Sequence, residues 1–249
     1  MDKQHGRQQN SFARGLDVLI SIAQNGQTTV ADIADELDIP QSTVYRYIRS
    51  LRDRALIEES RGIYIPGWRL MDIAGHHLIN TKLVTAGTER LRQLTDQTSE
   101  TSVLAIRAGS QGICLRQATS PNPDRYEFRV NELLPLYAGA GQRVLLAFAP
   151  RPIIDIVLAR ISPQTSNTPS AEQLTQLIET TRRNGFAVSR GEFRTGAVAI
   201  SVPVFAGGEV ACSLTLAGPS ERCSTDRWLR RSLSLLRDAA AHLGDVLVE

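Results

Sequence analysis

The run Pro40-Gln41-Ser42-Thr43-Val44-Tyr45-Arg46-Tyr47-Ile48-Arg49 carries two kinds of side chain suited to nucleic acid. Arginine donates a bidentate pair to guanine O6 and N7, or neutralises a phosphate. Hydroxyls at a helix start, with the free backbone N–H groups there, bond phosphate oxygens. The spacing sorts these residues. Val44, Ile48, Leu51 and Ala55 recur at i, i+4, i+7 and i+11, the apolar face of a helix. Ser42, Arg46 and Arg49 point the other way, with Thr43 and Tyr45 flanking them. Tyr47 lies nearer the apolar face and reads as core, whereas Tyr45 is balanced between packing and phosphate contact.

The elements around this helix must hold it against a duplex. Ser11 is a candidate N-cap for a first helix whose apolar residues Phe12, Leu16, Leu19 and Ala23 recur at helical spacing, and Asn25-Gly26 stops it. Thr29, with Asp32 three residues on, opens a second helix that buries Val30, Ile33, Ala34 and Leu37. Pro40 pre-sets φ for the third helix. Beyond it, Leu56 to Glu59 and Ile63 to Ile65 read as a hairpin turned by Ser60-Arg61-Gly62, a wing with Arg61 at its tip. Helix, turn, basic helix and hairpin in this order form a winged helix-turn-helix that reads duplex DNA.

Charge supports this locally rather than globally. The chain has 249 residues and a net charge of +2, and residues 1–88 hold ten basic and ten acidic side chains. Within that segment Asp32, Asp35, Glu36 and Asp38 make residues 30–39 acidic. Arg46, Arg49, Arg52 and Arg54 against Asp53 make residues 40–54 basic. Three cysteines without C-x-x-C spacing argue against a disulfide framework or thiolate zinc site and for a reducing, cytoplasmic setting. Residues 1–10 lack the apolar region of a signal peptide, and no apolar run is long enough to span a bilayer.

Residues 1–67 thus form the DNA-reading domain, and 68–88 a helical linker, with helices expected over Trp68–Ile79 and from Leu83 to about Leu94. Residues 89–249 form a second domain. His76 and His77 splay about 100° apart on a helix and cannot chelate together. In the second domain strands are expected at Val103–Ile106, Ile113–Leu115, Glu127–Val130, Phe186–Val188, Ala197–Phe205 and Val210–Leu216. Helices are expected over Ala138–Phe148, Pro152–Ile161, Ala171–Asn184 and Thr225–Val248. Strands, then helices, then antiparallel strands make the fold class α+β rather than a doubly wound sheet. None of the four histidines lies between residues 101 and 220, and no nucleophile, metal or phosphate-loop motif is present. Cys114 and Cys212 read as small buried apolar residues. No catalytic residue, cofactor or metal is expected; this domain reads as a binding module.

Taken together, Phe12 to Leu243 resembles the IclR family of bacterial transcription regulators. In the head the resemblance rests on Ser11-Phe12-Ala13-Arg14-Gly15-Leu16-Asp17-Val18-Leu19, Ile33-Ala34-Asp35-Glu36-Leu37 and Pro40-Gln41-Ser42-Thr43-Val44-Tyr45-Arg46. In the body it rests on Leu134-Pro135-Leu136-Tyr137-Ala138, Leu145-Leu146-Ala147, Arg183-Asn184-Gly185-Phe186, Gly196 and Pro203-Val204. The resemblance implies a GAF-like effector domain, a homodimer or dimer of dimers, a double-stranded DNA operator, and a small organic ligand, often a carboxylate or aromatic acid. The DNA-contacting residues it points to are Arg14, Gln41, Ser42, Thr43, Tyr45, Arg46, Arg49 and Arg61. The ligand pocket it implies is lined by Tyr126, Leu134, Ala140, Gly141, Ser189, Ala199, Thr215 and Ala217. Small residues at Ala140 and Gly141 would let helix-start N–H groups approach an anion. The chain departs from the family pattern at Gln142-Arg143, where Gly-Lys is usual, at Asn131 in place of glycine, and at Ala217 in place of serine. Asparagine tolerates φ > 0, so the turn at 131 is expected to survive. Two competing readings are an enzyme whose head serves only assembly, and a constitutive DNA-binding protein with a degenerate body.

Overall fold

The computed structural model describes residues 11–70 and 81–248, and the chain divides into two compact units between residues 73 and 74. The first unit runs α1 (Ser11–Asn25), β1 (Thr28–Thr29), α2 (Val30–Leu37), α3 (Gln41–Asp53), β2 (Ile57–Ser60) and β3 (Ile63–Pro66). Local chemistry sets most of these boundaries. Gly26, at φ 70°, follows the last residue of α1. Thr29 caps α2 in a reciprocal box, accepting from the Asp32 N–H at 3.3 Å while the Asp32 carboxylate accepts from the Thr29 N–H at 3.0 Å. Pro40, at φ −59°, precedes α3. Arg61 and Gly62 both have positive φ, the type I′ geometry that matches a hairpin's twist. The short β1 pairs with β3, giving the order β1-β3-β2, a strand the sequence reading did not anticipate.

The core of this unit is Val18, Ile22, Ile33, Val44, Ile48 and Ile57, all within 3% of complete burial. Each such side chain contributes about 1.5–3 kcal/mol of burial. The apolar face expected for α1 is corrected here. Phe12, Leu16 and Ala23 are exposed, and the helix turns Val18, Ser21 and Ile22 inward. Two apolar stripes run along α1, and only packing decides which meets the core.

Trp68 to Leu70 are helical. The remainder of the helix expected over Trp68–Ile79, with His76 and His77, lies outside the described residues, as does His5. In the second unit α4 (Thr81–Thr98) leads into β4 (Thr101–Ala108), β5 (Gln111–Ala118) and β6 (Leu133–Pro135). Next come α5 (Ala140–Ala147), α6 (Arg151–Leu158), α7 (Ala171–Asn184) and β7 (Ala187–Arg190). Then β8 (Ala197–Ala206), β9 (Glu209–Pro219), α8 (Ser220–Cys223) and α9 (Asp226–Val248) complete the unit. The strands make one antiparallel sheet in the order β6-β5-β4-β9-β8-β7. The fold is α+β.

Alternation along the strands separates two faces. On one, Leu104 meets α4 at Gly87, and α9 packs along β8. On the other, Ser213 and Thr215 face Gly141 in α5. The strand expected at Glu127–Val130 is corrected. Its Phe128 N–H bonds the Gln117 side chain rather than a ladder partner, and Arg129 to Glu132 form a turn closed at 2.9 Å. Asn131 takes φ 66° in that turn, as expected for an asparagine there. Backbone bonds to β5 resume where the Asn131 N–H donates to the Cys114 carbonyl at 2.7 Å and the Cys114 N–H to the Glu132 carbonyl at 3.1 Å, and the ladder runs from Leu133 to Pro135. Among the described residues no helix is long and apolar enough to cross a membrane, and no cluster of metal-ligating side chains occurs.

Candidate functional site

The exposed face of α3 carries Gln41, Ser42, Tyr45, Arg46 and Arg49; Thr43 is half-buried, and Tyr47 is buried as core. The four arginines of the basic segment are not equivalent. Arg52 pairs with Glu59 of β2 at 3.2 Å, and Glu59 also accepts from the Gly62 N–H at 3.1 Å, which ties the helix to the wing. Arg54 donates to the Ser50 carbonyl at 2.9 Å. Arg46 lies over the Tyr47 ring, 5.1 Å from its centroid, and donates to the Tyr47 hydroxyl at 3.2 Å. Arg49 makes no ion pair or hydrogen bond among the described residues, so its five donors face outward.

Tyr47 is the hub of this corner. Its hydroxyl meets Ser11 Oγ at 3.2 Å. The Ser11 hydrogen bond, and then Arg46, hold its phenol below the ordinary value. Arg14, half-buried on α1, has its Nε buried without a hydrogen-bond partner. Arg61 sits exposed at the wing tip. The acids of α2 also have local work: Asp32 caps the helix, and Glu36 accepts from Ser21 at 2.6 Å and Asn25 at 3.1 Å.

In the second unit, six of the eight residues expected at a ligand site line one cavity: Tyr126, Ala140, Ser189, Ala199, Thr215 and Ala217. Leu134 is not among the lining residues. It is 1% exposed and packs with Cys114, Phe128 and Phe193 in the core. Gly141 is not among them either. It lets the helix approach β9, and a Cβ there would lie 2.6 Å from Thr215 Oγ1. The cavity measures about 40 Å³, space for roughly three waters.

The sequence reading missed the charged pair beside it. Arg143, in the middle of a helix whose eight residues are all buried, is 1% exposed. Its Nη1 donates to both oxygens of Glu192, at 2.9 and 3.1 Å, and its Nη2 donates to the Val188 carbonyl. Glu192 also accepts from the Gly139 N–H at 3.0 Å. The Ala140 N–H goes to Ser189 Oγ at 3.1 Å. Two of the N–H groups at the start of α5 are therefore occupied by the chain's own side chains. Phe128, Phe193 and Arg194 close the cavity, with the Arg194 guanidinium 5.6 Å from each ring centroid. Tyr126 donates to the Thr195 carbonyl at 2.8 Å across the opening. A sequence signal did exist for Arg143: a charge set just before Val144-Leu145-Leu146-Ala147 needs a buried partner. Nothing local named Glu192, 49 positions away.

A winged helix-turn-helix with arginines on its outward helix face, in one chain with an α+β unit that encloses a small, mostly apolar cavity edged by a few polar groups, defines a DNA-binding transcription regulator. Residues 11–61 match the IclR helix-turn-helix domain, and residues 75–244 match the bacterial transcriptional regulator IclR C-terminal domain. The chain belongs to the IclR family of bacterial transcriptional regulators, a family of regulators rather than enzymes. It is 26% identical over 244 residues to the HTH-type transcriptional repressor AllR of Escherichia coli K12, covering 95% of this chain and 90% of that protein. Among solved structures, Thermotoga maritima IclR shares the fold at 22% identity and a TM-score of 0.65, covering 96% of this chain and 99% of that one. An IclR homologue of Microbacterium hydrocarbonoxydans complexed with 4-hydroxybenzoate does so at 22% identity and a TM-score of 0.64, again covering 96% and 99%.

Proposed function

We propose that this regulator binds a double-stranded DNA operator in the cytoplasm as a homodimer or dimer of dimers, and that a small organic acid held in the second unit alters its operator affinity. Residues 1–67 act as the reading head, 68–88 as the linker and 89–249 as the effector domain. Arg49 carries the reading of bases, because its outward guanidinium is uncommitted within the described residues. Gln41, Ser42, Thr43 and Tyr45 set the helix on the backbone with Arg46, whose guanidinium the Tyr47 ring pre-orients. Arg14 and Arg61 reach phosphates at either side. The exposed Phe12, Leu16 and Ile20 on one side of α1 support self-association.

The effector site is the cavity lined by Tyr126, Ala140, Ser189, Ala199, Thr215 and Ala217, with Leu134 packed behind Phe128 and Phe193 and Gly141 behind Thr215, outside the lining itself. At about 40 Å³ it admits an organic ligand only when Phe128 and Phe193 move aside, so binding is coupled to movement of the 126–128 and 193–196 segments. Such differential binding is what shifts a conformational equilibrium. The test is a mobility-shift titration on the DNA upstream of the protein's own gene, with and without a panel of organic acids. Arg49→Ala is expected to weaken operator binding by on the order of 1–3 kcal/mol. Unchanged affinity in that variant would overturn the groove assignment, and a panel in which no acid moves the midpoint would overturn the effector reading.

A further inference from the structure

The effector cavity already contains a carboxylate. Glu192, 9% exposed, takes the position a ligand acid would be expected to occupy, at the start of α5 against the Gly139 N–H and the buried Arg143. Its displacement is unfavourable for two reasons. Arg143 would be left charged and unpaired in the interior. In addition, the backbone that carries Glu192 is fastened from outside. Thr165 Oγ1 donates to the Gly191 carbonyl at 2.6 Å, Thr168 Oγ1 to the Glu192 carbonyl at 2.9 Å, and Asn167 to the Arg190 carbonyl at 3.3 Å. A ligand therefore meets Glu192 as a fixed wall.

The hydrogen-bond inventory of that wall is selective. An ionised carboxylate only accepts, with about four lone-pair sites. Arg143 Nη1, shared between the two oxygens, and the Gly139 N–H leave at least one of them open. Ser201 donates to the Leu214 carbonyl at 2.8 Å, so the 3.0 Å contact between Ser201 and Thr215 is donated by Thr215. Thr215 can then only accept from a ligand. Ser189 accepts from Ala140 and keeps its O–H to donate. Around Glu192 the wall thus offers two acceptors, Glu192 and Thr215, and one donor, Ser189, with the Gln142 amide beside them able to do either, and the Glu192 charge repels an incoming carboxylate. Among the described residues the cation that lines the cavity is Arg194, toward the exposed side; its Nη1 donates to the Glu127 carbonyl at 2.6 Å and its Nη2 lies 3.9 Å from Glu132, a long contact that a ligand carboxylate can replace.

We propose that Glu192 is the specificity-determining residue of the effector site. The ligand places a hydrogen-bond donor, a hydroxyl or amine, on Glu192 and turns its own carboxylate outward to Arg194. This rests on the reading of the cavity as the effector site. It makes an acid without a donor at its far end a poor effector.

The test is calorimetric titration of the full-length protein with two matched pairs, benzoate against 4-hydroxybenzoate and propionate against 3-hydroxypropionate. In the wild type the hydroxylated member of at least one pair is expected to bind about ten-fold tighter or more. Glu192→Gln keeps its oxygen for the Gly139 N–H and Arg143 and turns its amide N–H into the cavity, so the ratio falls to about one or below. Arg194→Gln weakens both members of a pair by a similar factor, because the carboxylate is common to them. Glu192→Gln leaves Arg143 without a counter-charge, so its folding is checked by melting. If it does not fold, the wild-type ratio and Arg194→Gln decide. Equal binding of both members by the wild type, or an unchanged ratio in a folded Glu192→Gln, overturns the role of Glu192 alone. Failure of all four acids to bind the wild type overturns the effector-site reading and this proposal with it.

Discussion

Replacing Arg143 by methionine isolates what the buried ion pair contributes. Methionine keeps an unbranched stem in the α5 packing, so the variant chiefly removes the guanidinium. Glu192 then retains the Gly139 N–H as its donor while lying 9% exposed. Stranding one partner of such a pair costs about 3–5 kcal/mol. In a unit of this size each kcal/mol shifts the melting midpoint by roughly 2–4 °C, so the second unit should melt on the order of 6–20 °C lower. The chain has two tryptophans, Trp68 and Trp228. In a Trp68→Phe background Trp228 fluorescence follows the second unit alone during urea unfolding. The double variant Arg143→Met/Glu192→Gln removes both charges and should cost clearly less than the sum of the single changes. A loss below about 1 kcal/mol for Arg143→Met, or additive single and double variants, would show that the two charges are not coupled and refute the desolvation argument.

Two further outcomes follow from particular contacts. Gly67→Ala places a Cβ 2.2 Å from the Ala55 carbonyl oxygen, a backbone clash, and should destabilise the head by on the order of 3 kcal/mol, the upper end of overpacking costs; a melting transition of the head unchanged from wild type would contradict it. Burial pushes the Cys114 and Cys223 thiols up to about 12 and raises Cys212 as well, so all three should resist alkylation at pH 8 until the protein is unfolded. A folded value above the unfolded one, near 8.5, means this contribution is complete below about pH 8.5 and is lost as pH rises toward 12. Native stability that holds constant across that window would count against it.

Features fixed by neighbouring residues were readable. The α1 stop at Asn25-Gly26, the Thr29–Asp32 cap, the wing turn and the end of α7 at Gly185 all depend on chemistry within four positions. The face of the third helix was readable in most of its length: Val44, Ile48 and Leu51 turn inward and leave Arg46 and Arg49 outward, but Ala55, expected on the same face, lies past the end of α3 at φ 55°, and Arg52 turns to Glu59 of the wing. Features settled by distant partners were not. In α1 both Phe12-Leu16-Ile20 and Val18-Ile22 have helical spacing, and the sheet beneath chose the second pair. Residues 127–130 have strand-like composition, but Gln117 diverts the Phe128 N–H from the ladder. At the cavity the small lining residues were within reach of the family resemblance. The Arg143–Glu192 pair, which decides what the cavity can bind, joins positions that no local pattern connects.

The fastening of Arg52 to Glu59 and of Arg54 to the Ser50 carbonyl also bears on how the protein searches a chromosome. Binding to arbitrary DNA is driven almost wholly by released counterions, and it grows with the number of cations free to displace them. A head that pairs Arg52 with its own Glu59 and turns Arg54 back onto a carbonyl of the helix has one less uncompensated cation, and one less extended one, to set against phosphates. It gives up part of its hold on every sequence alike, while Arg49, the base reader under the proposal above, stays uncommitted among the described residues. Against the great excess of competing sites, the ratio of right to wrong binding matters more than raw affinity, and internal pairing of these arginines raises that ratio.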